Sequence, residues 1–78
     1  MSVRVVYLGY LSDLAGVREE EVILPDPRAS PVRSVISPRV LSLGEGAILI
    51  LVNGMPASSN STVKPGDTIK VLPHVGGG

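Results

Sequence analysis

The 78-residue sequence has no cysteine, no phenylalanine and no tryptophan, and its only histidine is His74. Without cysteine there is no disulfide, no thiolate metal site and no cysteine nucleophile. One histidine and no cysteine cannot furnish an ordinary zinc ligand set. A Ser–His–carboxylate triad would need His74 held in a pocket, and a residue followed only by Val75 and three glycines is poorly placed for that. The chain is therefore not expected to be catalytic alone. Net charge is also missing: seven basic residues balance seven acidic ones. A nucleic-acid partner normally requires clustered Lys and Arg to displace counterions, and the five Arg and two Lys here are scattered. The longest apolar run, Ala47 to Val52, is too short to span a bilayer. Met1 to Val6 lacks the basic region and apolar stretch of a secretory signal. The expectation is a cytoplasmic chain with neither nucleic acid nor membrane as partner.

What remains is aliphatic. Hydrophobic residues make up 44% of the sequence, enough for one core built from Val, Ile and Leu. That richness without net charge argues against disorder. The length allows a single domain of modest stability.

Ser2 to Leu8 (SVRVVYL) reads as a first strand, and Glu19 to Leu24 (EEEVIL), closed by Pro25, as a second strand antiparallel to it. Between them Gly9 to Gly16 reads as a turn-like connection, with Leu11 and Leu14 tucked into the core. Ser30–Pro31 has the form of a helix start, and Val32, Val35 and Ile36 follow at helical spacing. Pro38 should end that helix, leaving a second turn through Arg39 to Leu43 closed by Gly44. Ala47 to Val52 (AILILV) reads as a central strand buried on both faces. Asn53–Gly54 is a tight-turn pair. Met55 to Val63 is a Ser-rich loop with a brief strand near its start. Lys64-Pro-Gly-Asp67 is a turn signature, and Thr68 to Leu72 is the last strand. The order gives a small α+β fold: a mixed sheet with one short helix across one face. The domain would span residues 1–72, with a flexible tail over 73–78.

Alternation places Val3, Val5 and Tyr7 on one face of the first strand and Val6 and Leu8 on the other. In the last strand Ile69 and Val71 alternate with Lys70 and Leu72. If the helix covers the first set in each, Val6, Leu8 and Leu72 form an apolar patch on the open face beside the tail, a docking signature. The tail itself, Pro73, His74, Val75, Gly76, Gly77 and Gly78, could reach about 20 Å in extended form. Glycine has no Cβ, so such a tail can enter a slot closed to any other residue. Terminal glycines alone are most often just a loose end. The Glu19-Glu-Glu21 run, Arg39, Lys70 and His74 read as ordinary solvated side chains.

With these pieces in order the sequence resembles the β-grasp fold of ubiquitin, and within it the small sulfur carriers. Val3-Arg-Val-Val-Tyr-Leu8 and Leu11-Ser-Asp-Leu-Ala-Gly16 are similar to the opening of the small subunit of molybdopterin synthase. Leu51-Val-Asn-Gly54, Lys64-Pro-Gly-Asp-Thr-Ile69 and Val71-Leu-Pro-His-Val-Gly-Gly-Gly78 match the second half of that protein and of the thiazole-synthesis carrier. The resemblance implies that the Gly78 carboxylate, with Gly77 before it, is the working group. An E1-like adenylating enzyme would activate it with ATP and Mg, and a sulfur nucleophile would then leave a thiocarboxylate. The implied acceptor is the large subunit of molybdopterin synthase, with thiazole synthase as the alternative. The carrier itself would bind no cofactor and no metal. A ubiquitin-like modifier, joined to target lysines through Gly78, would use the same carboxylate.

Overall fold

In the computed structural model, which describes residues 1–74, the backbone forms seven strands and two short helices. The strands are β1 (Ser2–Tyr7), β2 (Glu19–Ile23), β3 (Ser30–Pro31), β4 (Ile48–Val52), β5 (Met55–Ala57), β6 (Thr62–Val63) and β7 (Thr68–Pro73). The helices are α1 (Leu11–Ala15) and α2 (Pro38–Leu41), with single 3-10 turns at Val32–Ser34 and Glu45–Ala47. Five strands make one mixed sheet in the order β2-β1-β7-β4-β5, and β3 pairs with β6 in a second, two-stranded sheet. The β1–β2 hairpin is antiparallel, as the sequence suggests, whereas β1 and β7 run parallel.

One face of the large sheet is covered. Val3, Val5 and Tyr7 of β1, Ile48 and Ile50 of β4, and Ile69 and Val71 of β7 point into a core completed by Leu11, Val32, Val35, Ile36, Val40 and Val63. The inward set is the one that alternation assigns. Each fully buried Val, Leu or Ile contributes about 1.5–3 kcal/mol of transfer free energy, so this single face drives folding. The connection after β1 is more ordered than its turn-like sequence suggests: within the short helix α1, Leu11 is fully buried and Leu14 packs on the core.

The middle segment departs from the sequence reading, and the reasons are long-range. Ser30 does not cap a helix. Its buried hydroxyl accepts the Asp26 N–H and donates to the Asp26 carbonyl, both at 3.0 Å, and the residue pairs with Val63. The amides that a helix would have left free are taken by the distant Ser58–Ser61 loop: Val32 N–H donates to Ser61 O at 2.7 Å and Arg33 N–H to Ser59 O at 3.0 Å. Only one 3-10 turn forms as a result. Pro38 begins α2 instead of interrupting a helix, with Ser37 extended before it at ψ 130°, as a residue preceding proline prefers.

The second correction concerns β4. Its six-residue apolar run reads as buried on both faces, yet Leu49 is 40% exposed while Ile48 and Ile50 are buried. β4 is antiparallel to both neighbours in a sheet with one uncovered face, so alternate side chains must look outward. Asn53 and Gly54 turn the chain into β5 with φ of 52° and 83°, and Gly66 takes φ 91° in the turn before β7.

Candidate functional site

The site is the end of the central strand together with the open sheet face. β7 lies between β1 and β4, with Tyr7 opposite Val71, Leu49 opposite Leu72 and Ile48 opposite Pro73. The ladder extends past Leu72: Leu8 N–H donates to Val71 O at 2.9 Å on one side, and His74 N–H donates to Ala47 O at 3.0 Å on the other. Strand β7 therefore runs to Pro73, and His74 is tied to the sheet by its backbone. The His74 side chain is exposed. Val75, Gly76, Gly77 and Gly78 lie outside the described residues.

Val6, Leu8 and Leu72 all lie on the face away from the core, Val6 and Leu72 half-buried and Leu8 exposed. The structure adds Leu49 and Leu51 to them. Leu49 faces Leu72 across the ladder, and Leu51 faces Lys70, which also pairs with Val6. The result is an apolar strip with one lysine in it, running toward the strand's exit. Leu49 was hidden in the sequence by the unbroken run around it; reading that run as an antiparallel strand on a one-sided sheet would have found it. The other half of the face is ionic. Arg4 pairs with Glu19 and, at 3.3 Å, with Glu21. Two of the three consecutive glutamates are thus partly neutralised within the chain.

Beside the exit, on the other flank of β4, a shallow cavity of about 270 Å³ is lined by Glu45, Ile48, Ile50, Ala57, Ser58 and His74. Glu45 closes it by accepting hydrogen bonds from the Ser59 hydroxyl and amide, which hold its carboxyl below the usual carboxylate range. Beneath the sheet, Tyr7 accepts the Ser37 N–H at 2.8 Å, and burial raises its phenol above the ordinary value. Among the described residues no group of His, Asp and Glu is placed to hold a metal ion, and no helix is long and apolar enough to cross a membrane. The geometry therefore offers presentation: a strand end held at a fixed point, next to an apolar surface.

A family model described as the ThiS family matches residues 5–78. The chain belongs to the ThiS family. Its match takes in the strand end and the whole apolar strip. No curated protein sequence matches the chain. Among solved structures, the ThiS-family chain is similar to a putative molybdopterin converting factor subunit 1 from Pyrococcus furiosus. The two share 32% identity over 96% of this chain and 99% of that one, with a TM-score of 0.73. SAMP1 from Haloferax volcanii has the same fold, at 24% identity over the whole of both chains and a TM-score of 0.77. A complex of subunits 1 and 2 of the molybdopterin-converting factor from Helicobacter pylori contains a chain 25% identical over the full length of both, with a TM-score of 0.60. The chain is a sulfur carrier of the ThiS type with a ubiquitin-like β-grasp fold.

Proposed function

We propose that this ThiS-family chain carries sulfur for molybdopterin formation on its terminal Gly78. The observation that carries the pathway is the 32% identity, over nearly the whole of both chains, with the P. furiosus converting factor subunit 1. The H. pylori complex adds that a related chain, alignable over the full length of both, occurs in a complex of subunits 1 and 2.

In the first stage the Gly78 carboxylate attacks the α-phosphorus of ATP on an E1-like enzyme, with Mg held by that enzyme. Pyrophosphate leaves and an acyl-adenylate forms. A hydrosulfide-type nucleophile then adds to the acyl carbon and expels AMP, leaving the thiocarboxylate. In the second stage the tail enters a large subunit of the molybdopterin-synthase type. There the thiocarboxylate sulfur bonds to a carbon of the precursor and displaces an oxygen leaving group from it. Water then cleaves the acyl–sulfur bond, leaving the sulfur on the product as a thiolate and restoring the Gly78 carboxylate. The carrier contributes position: binding makes the reaction effectively intramolecular. The apolar strip of Val6, Leu8, Leu72 and Leu49 is the docking surface, and Pro73, His74, Val75, Gly76 and Gly77 lead to the working end. Apolar contact at the strip offsets the entropy lost in ordering the tail. The ending Val75-Gly-Gly-Gly78, similar to the thiazole carriers, favours delivery to thiazole synthase as the second reading.

The absence of cysteine supplies the test. The chain is incubated with a candidate activating enzyme, ATP and a sulfur source, then treated with a thiol-reactive alkylating reagent. The expected product is a single label mapped to Gly78 that requires ATP and is lost when Gly78 is deleted. Transfer of that sulfur with a molybdopterin-synthase large subunit, and not with thiazole synthase, assigns the pathway. No label with an enzyme proven competent on another carrier overturns the sulfur-carrying reading for this chain. Lysine conjugates in place of the label identify it as a modifier.

A further inference from the structure

Gly9 touches the root of the tail. A Cβ built on it would lie 3.0 Å from Cγ of Pro73, closer than ordinary van der Waals contact, and 3.5 Å from Cδ, at ordinary contact distance. Pro73 is therefore seated on a bare Cα. Two facts make that seat rigid. On one side Leu8, the preceding residue, is pinned by its N–H to Val71 O at 2.9 Å. On the other, the Gly9 carbonyl accepts both the Ser12 amide at 3.3 Å and the Ser12 hydroxyl at 3.0 Å, tying it to the first turn of α1. Gly9 itself sits at φ +60°, a conformation that glycine adopts without a steric penalty.

Pro73 can adjust only by the pucker of its ring at Cγ: the ring fixes φ, and it has no N–H with which to find another partner. The next residue carries the last backbone bond of the sheet among the described residues, His74 N–H to Ala47 O at 3.0 Å. Gly9 and Ala47 thus stand on opposite sides of the strand end. We infer that they form a collar, and that Gly9 is a positioning residue setting the point and direction in which the chain leaves the sheet toward Gly78. A side chain at Gly9 displaces the Pro73 ring, because neither Leu8 nor Ser12 allows the loop to retreat. Displacing the ring pulls His74 N–H from the Ala47 carbonyl. The docking strip is untouched, so the altered carrier binds its partners as before and presents its end wrongly. This inference rests on Gly78 being the working end.

The test compares Gly9→Ala with Gly16→Ala. Gly16 also has positive φ, +82°, but nothing would lie within 4 Å of a Cβ placed on it. The second variant therefore carries the backbone strain without the steric contact. The first readout needs no partner: hydrogen exchange of the His74 amide in the full chain, expected to be at least about fivefold faster in Gly9→Ala than in Gly16→Ala, since exchange reports local opening. The second is loading of Gly78 by the activating enzyme. There kcat should fall at least about tenfold with KM unchanged, the mark of lost positioning and not of lost binding. If Gly9→Ala does not fold, Pro73→Gly removes the ring from the other side and should give the same two changes. Equal exchange and equal kcat in the Gly9 and Gly16 variants, or both values unchanged in Pro73→Gly, overturn the collar. Should the unsubstituted chain not be loaded at all, the functional reading fails, and the His74 exchange result alone decides the collar.

Discussion

Asp67 shows how one side chain fixes the entry to the strand that bears the functional end. Its two carboxylate oxygens accept from Asn53 Nδ2 at 2.9 Å and from the Lys64 N–H at 2.8 Å, and Asn53 Oδ1 accepts the Thr68 N–H at 2.9 Å. Two turns far apart in sequence are thereby joined at the start of β7. The Lys64 amide first, and then the Asn53 amide, hold the Asp67 carboxyl below its ordinary value of 3.8. Since the folded chain favours the ionised form, this contribution is fully present above pH 3.8 and is lost as pH falls through the lowered folded value. In Asp67→Asn one acceptor oxygen becomes a donor, and at least one of the two bonds is lost, at a cost of about 1 kcal/mol. Urea denaturation from about pH 2 to about pH 7 should show lower stability at neutral pH and a shallower acid limb for the variant. Parallel curves would mean that the carboxylate bonds contribute nothing to the turn.

The open face of the sheet is where whole elements combine into a surface. Leu49 on β4 and Leu72 on β7 meet across an antiparallel ladder, next to Leu8 at the end of β1. Leu49 is already 40% exposed, so changing it costs the fold little, whereas a charge placed there meets any apolar partner directly. Leu49→Asp should shift denaturation by no more than about 0.5 kcal/mol. It should weaken binding to the activating enzyme at least about tenfold, or about 1.4 kcal/mol, by calorimetry. An unchanged Kd would move the docking surface off this face. The strands on either side were legible because alternation survives in them: Val3, Val5 and Tyr7 against Arg4 and Val6, and Ile69 and Val71 against Lys70. Their partner β4 hid its outward residue because apolar side chains fill both sets of positions. The helix expected from Ser30 to Ile36 was misread for another reason, while the turn through Arg39 to Leu43 closed by Gly44 is present. The local signals Ser30–Pro31 and Ser37–Pro38 were genuine turn chemistry, but the Ser59 and Ser61 carbonyls that take the Val32 and Arg33 amides come from another part of the chain. Gly9 escaped notice because its meaning depends on Pro73, 64 positions later (73 minus 9). Gly78 was singled out through family resemblance, which no packing argument supplies.

At the scale of the molecule, the last strand in sequence is the middle strand in space. β7 brings Ile69 and Val71 into the core with no exposed surface, Ile69 pairing with Val5 on one side and Val52 on the other. Because β1 and β7 are parallel, the chain begins at one end of the sheet and leaves β7 at the opposite end, so an N-terminal tag lies away from the site. The sheet cannot close until β7 arrives, and the long loop closure between β1 and β7 makes folding slower than in a helical protein of equal size. It also ties function to global stability, since the strand that presents the tail is the one that completes the core. A domain of this length is stable by about 4–12 kcal/mol. Truncating a fully buried Ile to Ala typically costs about 2–5 kcal/mol. Ile69→Ala should therefore lower the melting midpoint by roughly 8–40 °C, at about 4–8 °C per kcal/mol for a chain of this size. Thermal denaturation followed by circular dichroism measures this, and a shift below about 4 °C would show that the core relaxes around the missing atoms. Loading of Gly78 should then fall with temperature in step with the unfolded fraction, unlike Leu49→Asp, whose defect should persist at temperatures where the chain is fully folded.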